Sequence, residues 1–185
     1  MLDAITRRRS VRNYDDQPLT GDLRARVEAV LAAERPCFFG GRPRFALVDR
    51  DAARDEQGVK LGTYGFIKGA RTFIAGAIAA GPHAELDYGY ALEAIILELT
   101  AMGLGTCWLG GTFSRAEYGR VLALTGDEFV PAVTPVGTAA AQRGAVERLV
   151  RWGAKSDSRL PWARLFFDRR PDRPLTKAAA GPYAE

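Results

Sequence analysis

The sequence predicts an α+β domain in which a central sheet of short strands is layered with helices, one of them long and buried. Three observations carry this. The stretch from Glu85 to Met102 is apolar around most of its circumference, broken by Glu93 and Glu98. Such a helix is buried on several sides, in the core or at a subunit contact. The strand-like runs, Arg44 to Val48, Thr72 to about Ala79, Thr106 to Leu109 and Val130 to Val136, are few, short and separated by helical patterns. Finally, no G-x-G-x-x-G follows a strand and no G-x-x-x-x-G-K-[ST] occurs, so a doubly wound nucleotide fold is not expected. A phosphate here would have to be held by side chains.

The elements follow in order. Leu2 and Ile5 open a short helix that runs into an arginine cluster. Thr20 is the expected N-cap of a second helix, with Leu23, Val27, Val30 and Leu31 on its inner face. Glu34 to Pro43 is rich in breakers and leads into the first strand, and Asp49 to Gln57 is polar and expected to be exposed. The second strand stops at Gly81-Pro82. The long helix ends at Gly103, where a left-handed residue is wanted. A strand from Thr106 to Leu109 then meets the Gly110-Gly111 turn. Ser114-x-x-Glu117 is a capping box for a helix that turns Tyr118, Val121 and Leu122 inward. The strand from Val130 is stopped by Gly137, and Ala145 to Phe167 holds a short amphipathic helix and the aromatic segment PWARLFF.

With 185 residues, 47% hydrophobic and 26% charged, the chain has the make-up of one soluble globular domain. No run of eighteen apolar residues exists to span a bilayer. Charge follows a short apolar start at the N-terminus, the reverse of a secretory signal, so a cytoplasmic protein is expected. Cys37 and Cys107 lie far apart and read as buried free thiols. The net charge of +4 gathers at Arg7, Arg8, Arg9 and Arg12 and again between Arg143 and Arg173. Two such clusters suit a small anion better than nucleic acid. The single histidine, His83, sits beside Pro82 and reads as a surface turn residue, which disfavours Ser-His catalysis and a His-ligated metal. Glu93 and Glu98, five apart on a helix, do not share a face and form no carboxylate pair.

Three constellations could carry chemistry. Arg8-Arg9-Ser10-Val11-Arg12 offers guanidinium forks and a hydroxyl to a phosphate, although alone it also reads as a solvated basic helix end. Gly103 to Phe113, GLGTCWLGGTF, could bring backbone N–H groups close to a flat ring, or be a structural turn around a core Trp and Cys. Lys155 to Pro161, KSDSRLP, is basic and could fold back on a phosphate, or lie on the surface.

Taken together, R-x-S-x-R, GLGTCWLGG-F after a buried helix, Pro135-Val136-Gly137 and R-L-P-W-x-x-L-F-F resemble the nitroreductase family over nearly the whole chain. The likeness is strongest to a branch in which both halves of the usual dimer are fused, where Leu61 to Ala70 also belongs. The resemblance implies a nitroreductase-like layered fold and bound FMN. It also implies transfer of two electrons from NAD(P)H to a small flat acceptor such as a nitroaromatic or quinone, with no catalytic side chain named. By position, Arg8, Arg9 and Ser10 would hold phosphate and ribityl oxygens. Arg12 would lie near N1 and O2 of the ring, where a fixed cation favours its reduction. Gly110 and Gly111 would present backbone donors to N5 and O4, with Leu109 beside them among the cofactor-binding residues. Arg159, with Lys155 as a second candidate, would close over the phosphate.

One departure stands out. Where the family carries A-P-S-x-x-N-x-Q-P-W over its partner's flavin, this chain reads Arg35-Pro36-Cys37-Phe38-Phe39-Gly40-Gly41-Arg42-Pro43-Arg44. The chain is thus expected to hold a flavin from one side and to need a second homologous half or a homodimer to close over it. The alternative is a flavin-binding or structural half-domain without turnover. Pro18-Leu19-Thr20 also recurs as Pro174-Leu175-Thr176, followed by Ala178, Ala179 and Ala180 as strong helix formers. Residues 1–170 therefore read as the FMN-binding domain and 171–185 as the start of a second pseudo-repeat, a helix that the chain's end cuts short.

Overall fold

A computed structural model describes residues 2–35, 37–50, 66–141 and 160–184. The chain divides into two compact units, Met1–Gly144 and Ala145–Glu185.

The first unit is built on β2 (Thr72–Ala79), whose residues are buried from Thr72 to Ile78. A half-exposed strand would alternate apolar and polar residues; TFIAGAIA does not, because both faces of this strand are covered. Phe73, Ala75 and Ala77 pack into one apolar cluster, and Ile74 and Ile78 into the other. β1 (Arg44–Asp49) pairs antiparallel with β2 in the register Phe45 to Gly76, and the Phe45 ring lies where a Cβ on Gly76 would stand. β5 (Val133–Gly137) pairs with the other edge of β2, and β3 (Gly105–Thr106) with β5. β4 (Glu128–Phe129) takes the end of β2, giving five strands in the order β1-β2-β5-β3 with β4 beside β2.

One face of the sheet is closed by α3 (Ala84–Ala101) together with α2 (Gly21–Ala32). Tyr88, Leu92, Ile95, Ile96 and Leu99 of α3 are fully buried, as the sequence requires of so apolar a helix. The Tyr88 hydroxyl donates to Ala132 O at 2.6 Å, and burial pushes its pKa up. Gly103 (φ 83°) ends the helix in a Schellman turn: Leu104 N donates to Leu99 O at 2.9 Å and Gly103 N to Thr100 O at 3.1 Å. The opposite face carries Val11, Tyr14, Phe113, Tyr118 and Leu122, the last two from α4 (Arg115–Val121) and its C-cap. Ser114 Oγ accepts from Glu117 N at 3.4 Å, the expected half of the capping box.

Several expectations are refined. Thr20 stands at the N-cap of α2, but its hydroxyl makes no capping bond. The strand expected from Thr106 to Leu109 is broken after Thr106, because Cys107 N donates to the Thr134 side chain and Leu109 alone rejoins Val133. The strand expected from Val130 begins only at Val133, past Pro131, which has no N–H for a ladder, and it takes in Gly137. Cys107 is buried, whereas Cys37 is only partly so. His83 is an exposed turn residue with φ 64°, as expected.

In the second unit Trp162 opens a short 3-10 turn (Trp162–Arg164) and stacks on Phe166 at 4.1 Å. Its indole N–H donates to Leu175 O at 2.6 Å, closing the loop between them. α5 (Lys177–Ala180) is capped by Thr176, whose Oγ1 accepts from Ala179 N at 3.1 Å. The helix expected to run on is instead ended after one turn by Gly181 (φ 56°), and Gly181–Ala184 continues as a 3-10 turn. The amphipathic helix expected after Ala145 falls largely outside the described residues.

Arg44 and Glu128 brace the sheet across the end of β2, with Nε and Nη2 of Arg44 each donating at 2.8 Å to a carboxylate oxygen. Hydrogen bonds from Arg44 first, then from Thr125 N, hold the Glu128 carboxyl down at about 2 against an ordinary 4.5. A depressed carboxyl contributes stability that is complete above its unfolded pKa and lost as pH falls through the folded one. Between about pH 4.5 and pH 2, thermal melts of the unaltered chain should therefore fall more steeply than those of Glu128→Gln. Parallel melting curves over that window would mean the brace adds nothing.

Candidate functional site

The site begins with the segment after α1 (Leu2–Arg7). Residues 8–14 run extended, and they are stitched to the sheet on two sides. Ser10 bridges Thr106 in parallel, and Val11 N donates to Thr106 O at 2.8 Å. Tyr14 N donates to Lys68 O at 2.9 Å, and Lys68 N to Arg12 O at 2.9 Å. Two glycines make this possible. A Cβ on Gly105 would stand 2.9 Å from the Val11 side chain, and one on Gly69 (φ 72°) only 2.3 Å from Tyr14 O. The arginine-serine run and the glycine-rich turn, ninety residues apart in sequence, are thereby neighbours.

Successive side chains of an extended segment point to opposite sides. Arg9 and Val11 line a cleft of about 350 Å³ together with Arg7, Thr100, Gly103 and Gly105. Arg8 turns elsewhere, its Nε lying 3.3 Å from Glu93 Oε1 of α3. Ser10 and Arg12 are partly buried, and among the described residues the Arg12 guanidinium has no partner. Arg7 is engaged on the surface by Asp3 at 2.7 Å.

Beyond β3 the chain passes Trp108, whose indole N–H donates to Glu93 Oε2 at 2.7 Å. Leu109 is buried and held by a pair of backbone hydrogen bonds with Val133. Gly110 and Gly111 then emerge exposed, and a Cβ on either would meet no atom within 4 Å. Their lack of side chains is thus not demanded by packing among the described residues. Arg115 Nη2 donates to Gly110 O at 2.7 Å and so leaves the backbone of the turn tethered to α4.

Of the residues singled out in sequence, Arg8, Ser10, Arg12, Leu109, Gly110 and Gly111 belong to these two joined segments, and Arg9 faces the neighbouring cleft. Lys155 and Arg159 lie outside the described residues. Glu93, Trp108 and Arg115 were not among the candidates. A carboxylate in the middle of an otherwise apolar helix was the available signal for Glu93.

The loop that departs from the family pattern is anchored on α3. Asp87, buried in the first turn of that helix, accepts from Phe39 N at 3.1 Å and from Gly41 N at 2.7 Å. This leaves Phe38 and Phe39 exposed, the former edge-on to Tyr90 at 4.9 Å. Behind the loop is a cavity of about 700 Å³ lined by Leu31, Arg35, Cys37, Arg42, Phe45 and Ala91, among others. Burial, then the nearby Asp87 charge, raises the Cys37 thiol pKa, so Cys37 is not an activated nucleophile. Glu93 and Glu98 serve separate partners, Glu98 accepting from Arg35 at 2.9 Å. Among the described residues no cluster of His, Cys, Asp and Glu could hold a metal, and no helix is long and apolar enough to cross a membrane.

Solved structures share this fold. A nitroreductase family protein of Clostridium difficile 630 superposes with a TM-score of 0.63 at 13% identity, covering 92% of this chain and 98% of that one. A nitroreductase family protein of Clostridium novyi NT gives 0.58 at 20%, over 76% and 85%. A nitroreductase with bound FMN from Bacteroides fragilis NCTC 9343 gives 0.57 at 23%, over 77% and 90%. No curated protein sequence matches the chain. The family model described as "Putative TM nitroreductase" matches residues 1–172, almost the whole length. With the layered α+β fold in agreement, the chain belongs to the nitroreductase family of oxidoreductases.

Proposed function

We propose that the chain is an FMN-dependent oxidoreductase that takes two electrons from NAD(P)H and passes them to a small, flat, electron-poor acceptor such as a nitroaromatic or quinone. The observation that carries this reading is the pairing of Ser10 and Val11 with Thr106, which joins a basic run to an exposed glycine pair. One side of that junction offers guanidinium donors for a dianionic phosphate; the other offers backbone with nothing above it. These are the two things an FMN needs, and the residues fit it. The FMN-bound nitroreductase of B. fragilis with the same fold adds weight. Arg8, Arg9 and Ser10 are the candidates for phosphate and ribityl oxygens, Arg12 for the ring edge, and Gly110 and Gly111 for backbone contact with the ring, while Leu109, its N–H and C=O both bonded to Val133, can only position them. Lys155 and Arg159 are further phosphate candidates on the family resemblance alone. When bound, FMN supplies the two-electron chemistry; the protein's part is to bind it, orient it and leave one face open.

The test is a spectrum. Purified protein reconstituted with FMN should be yellow, bleach anaerobically on NADH or NADPH, and recover colour when a quinone or nitroaromatic is added. Protein that retains no flavin after reconstitution would sink the reading. Colour that survives reduced nicotinamide would favour a flavin-binding half-domain without turnover.

Single substitutions separate specific contacts from general charge. Arg12→Ala should weaken FMN by about tenfold or more, the loss of one charge-assisted hydrogen bond. Arg7→Ala removes an exposed pair with Asp3 at the edge of the neighbouring cleft, outside the segment joined to Thr106, and should change binding little. Equal losses would reduce the arginine run to bulk electrostatics. Gly110→Val should abolish FMN binding while shifting stability by only about 0.5 kcal/mol, since its Cβ meets nothing in the chain. A misfolded Gly110→Val protein would make the turn a structural one.

The closing partner is proposed to be a second copy or a homologous half. Leu86 and Tyr90, one turn apart on α3, are exposed beside Phe38 and Phe39, and Leu2 and Ile5 are exposed on α1. So much exposed apolar surface on one compact unit is the mark of an interface. Light scattering should give twice the 20.1 kDa chain mass, or a 1:1 complex when the homologous half is supplied. A strictly monomeric chain that binds FMN tightly and turns over would end this part of the reading.

A further inference from the structure

Glu93 is the acidic side chain that touches both segments of the candidate flavin site. It lies midway along α3, a helix otherwise so apolar that Ala91, Leu92, Ile95 and Ile96 around it are almost completely buried. A carboxylate there has a desolvation cost that a leucine would avoid. Its two oxygens are divided between two partners. Oε1 lies 3.3 Å from Arg8 Nε, and Oε2 accepts from Trp108 Nε1 at 2.7 Å. Arg8 opens the basic run, and Trp108 stands two residues before Gly110.

We propose that Glu93 is a positioning residue of the flavin site: through one carboxylate it orients the Arg8 guanidinium toward the phosphate and locks the strand that delivers Gly110 and Gly111. This rests on the FMN reading above and deepens it.

The geometry favours positioning over a plain surface ion pair. Arg8 and Glu93 are each about a third exposed, and an isolated pair of that kind contributes little. Here the carboxylate is not free to rotate. Its helix is packed into the core, and the short bond from the indole sets its plane. A carboxylate already oriented by one partner holds a second at less entropic cost. The contact with Arg8 is at Nε, and among the described residues the two terminal nitrogens have no other partner. They remain as a fork for phosphate oxygens. A neutralising counter-ion would be expected to weaken anion binding; a positioning one strengthens it, and the two ideas differ in sign.

Glu93→Gln and Glu93→Ala, titrated with FMN and with riboflavin, which lacks the phosphate, distinguish them. Glutamine keeps an acceptor for Trp108 and loses the charge for Arg8. Glu93→Gln should therefore bind FMN about tenfold more weakly and riboflavin as before. Glu93→Ala should weaken both flavins and also shift the near-ultraviolet circular dichroism of Trp108 in the flavin-free protein, identified against Trp108→Phe. FMN binding that is unchanged or tighter in Glu93→Gln would overturn the proposal, leaving Glu93 a counter-ion. Equal losses for FMN and riboflavin in Glu93→Gln would overturn it too, since the Arg8 arm would then carry nothing. Should Glu93→Ala fail to fold, the Glu93→Gln comparison decides alone. An unaltered chain that binds no FMN refutes the underlying function; an unaltered chain that binds while both variants match it refutes only the role of Glu93.

Discussion

The structure depends on one constraint: from Thr72 to Ile78, β2 has no face it can show to water. An antiparallel sheet can normally leave one side wet. This one cannot, so α3 and α2 must close one face, and the loops and short helix around Phe113 and Tyr118 the other. The glycine in the middle of β2 follows from the same demand. Gly76 gives its side-chain space to the Phe45 ring, which in turn lies 5.2 Å from the Tyr88 ring of α3. Packing on both faces sets the strand order, and strand order brings β3 and β5 together.

From that arrangement the candidate site follows with little further information. β3 is only two residues long, and its free side accepts the extended segment after α1. Gly105 has no side chain to keep Val11 away. The basic segment is therefore held by backbone hydrogen bonds, which fix its register and so decide which arginine faces which way. Arg8 meets Glu93 and Arg9 meets the cleft with Arg7, although the two are adjacent in sequence. Charge alone could not make that distinction. The Trp108 indole and the Arg115 guanidinium add two tethers to the glycine turn, from α3 and α4. Its exposed backbone is thus held in place without being covered.

The segment between α2 and β1 shows how a departure in sequence is accommodated. Without the Ser-Asn pair and Gln-Pro-Trp of the family pattern, the loop still needs its backbone N–H groups satisfied. Asp87 does this by accepting from Phe39 and Gly41, and a Cβ on Gly41 would collide with that carboxylate. The loop is therefore ordered against α3, with its two phenylalanines turned outward next to Tyr90.

The amino-acid sequence by itself determined the elements whose signals are local. Gly103 marks the end of α3 because only a left-handed residue completes its turn, and Ser114 caps α4 through its own third neighbour. The apolar runs of β2 and α3 announce burial before any fold is known. The R-x-S-x-R and GLGTCWLGG motifs pointed to the family, and the fold joins the two segments that carry them. Only the tertiary structure decided what those segments do to each other. Pro131 interrupts a run that reads as one strand, and Cys107 leaves the ladder for the Thr134 hydroxyl, because ladder partners come from elsewhere in the chain. Glu93 is the clearest case. In sequence it is a charge interrupting an apolar helix, and its meaning lies in Arg8 and Trp108, eighty-five residues before it and fifteen after. A carboxylate has no periodicity and no motif; its role is set by what the fold places within about 3 Å of its oxygens.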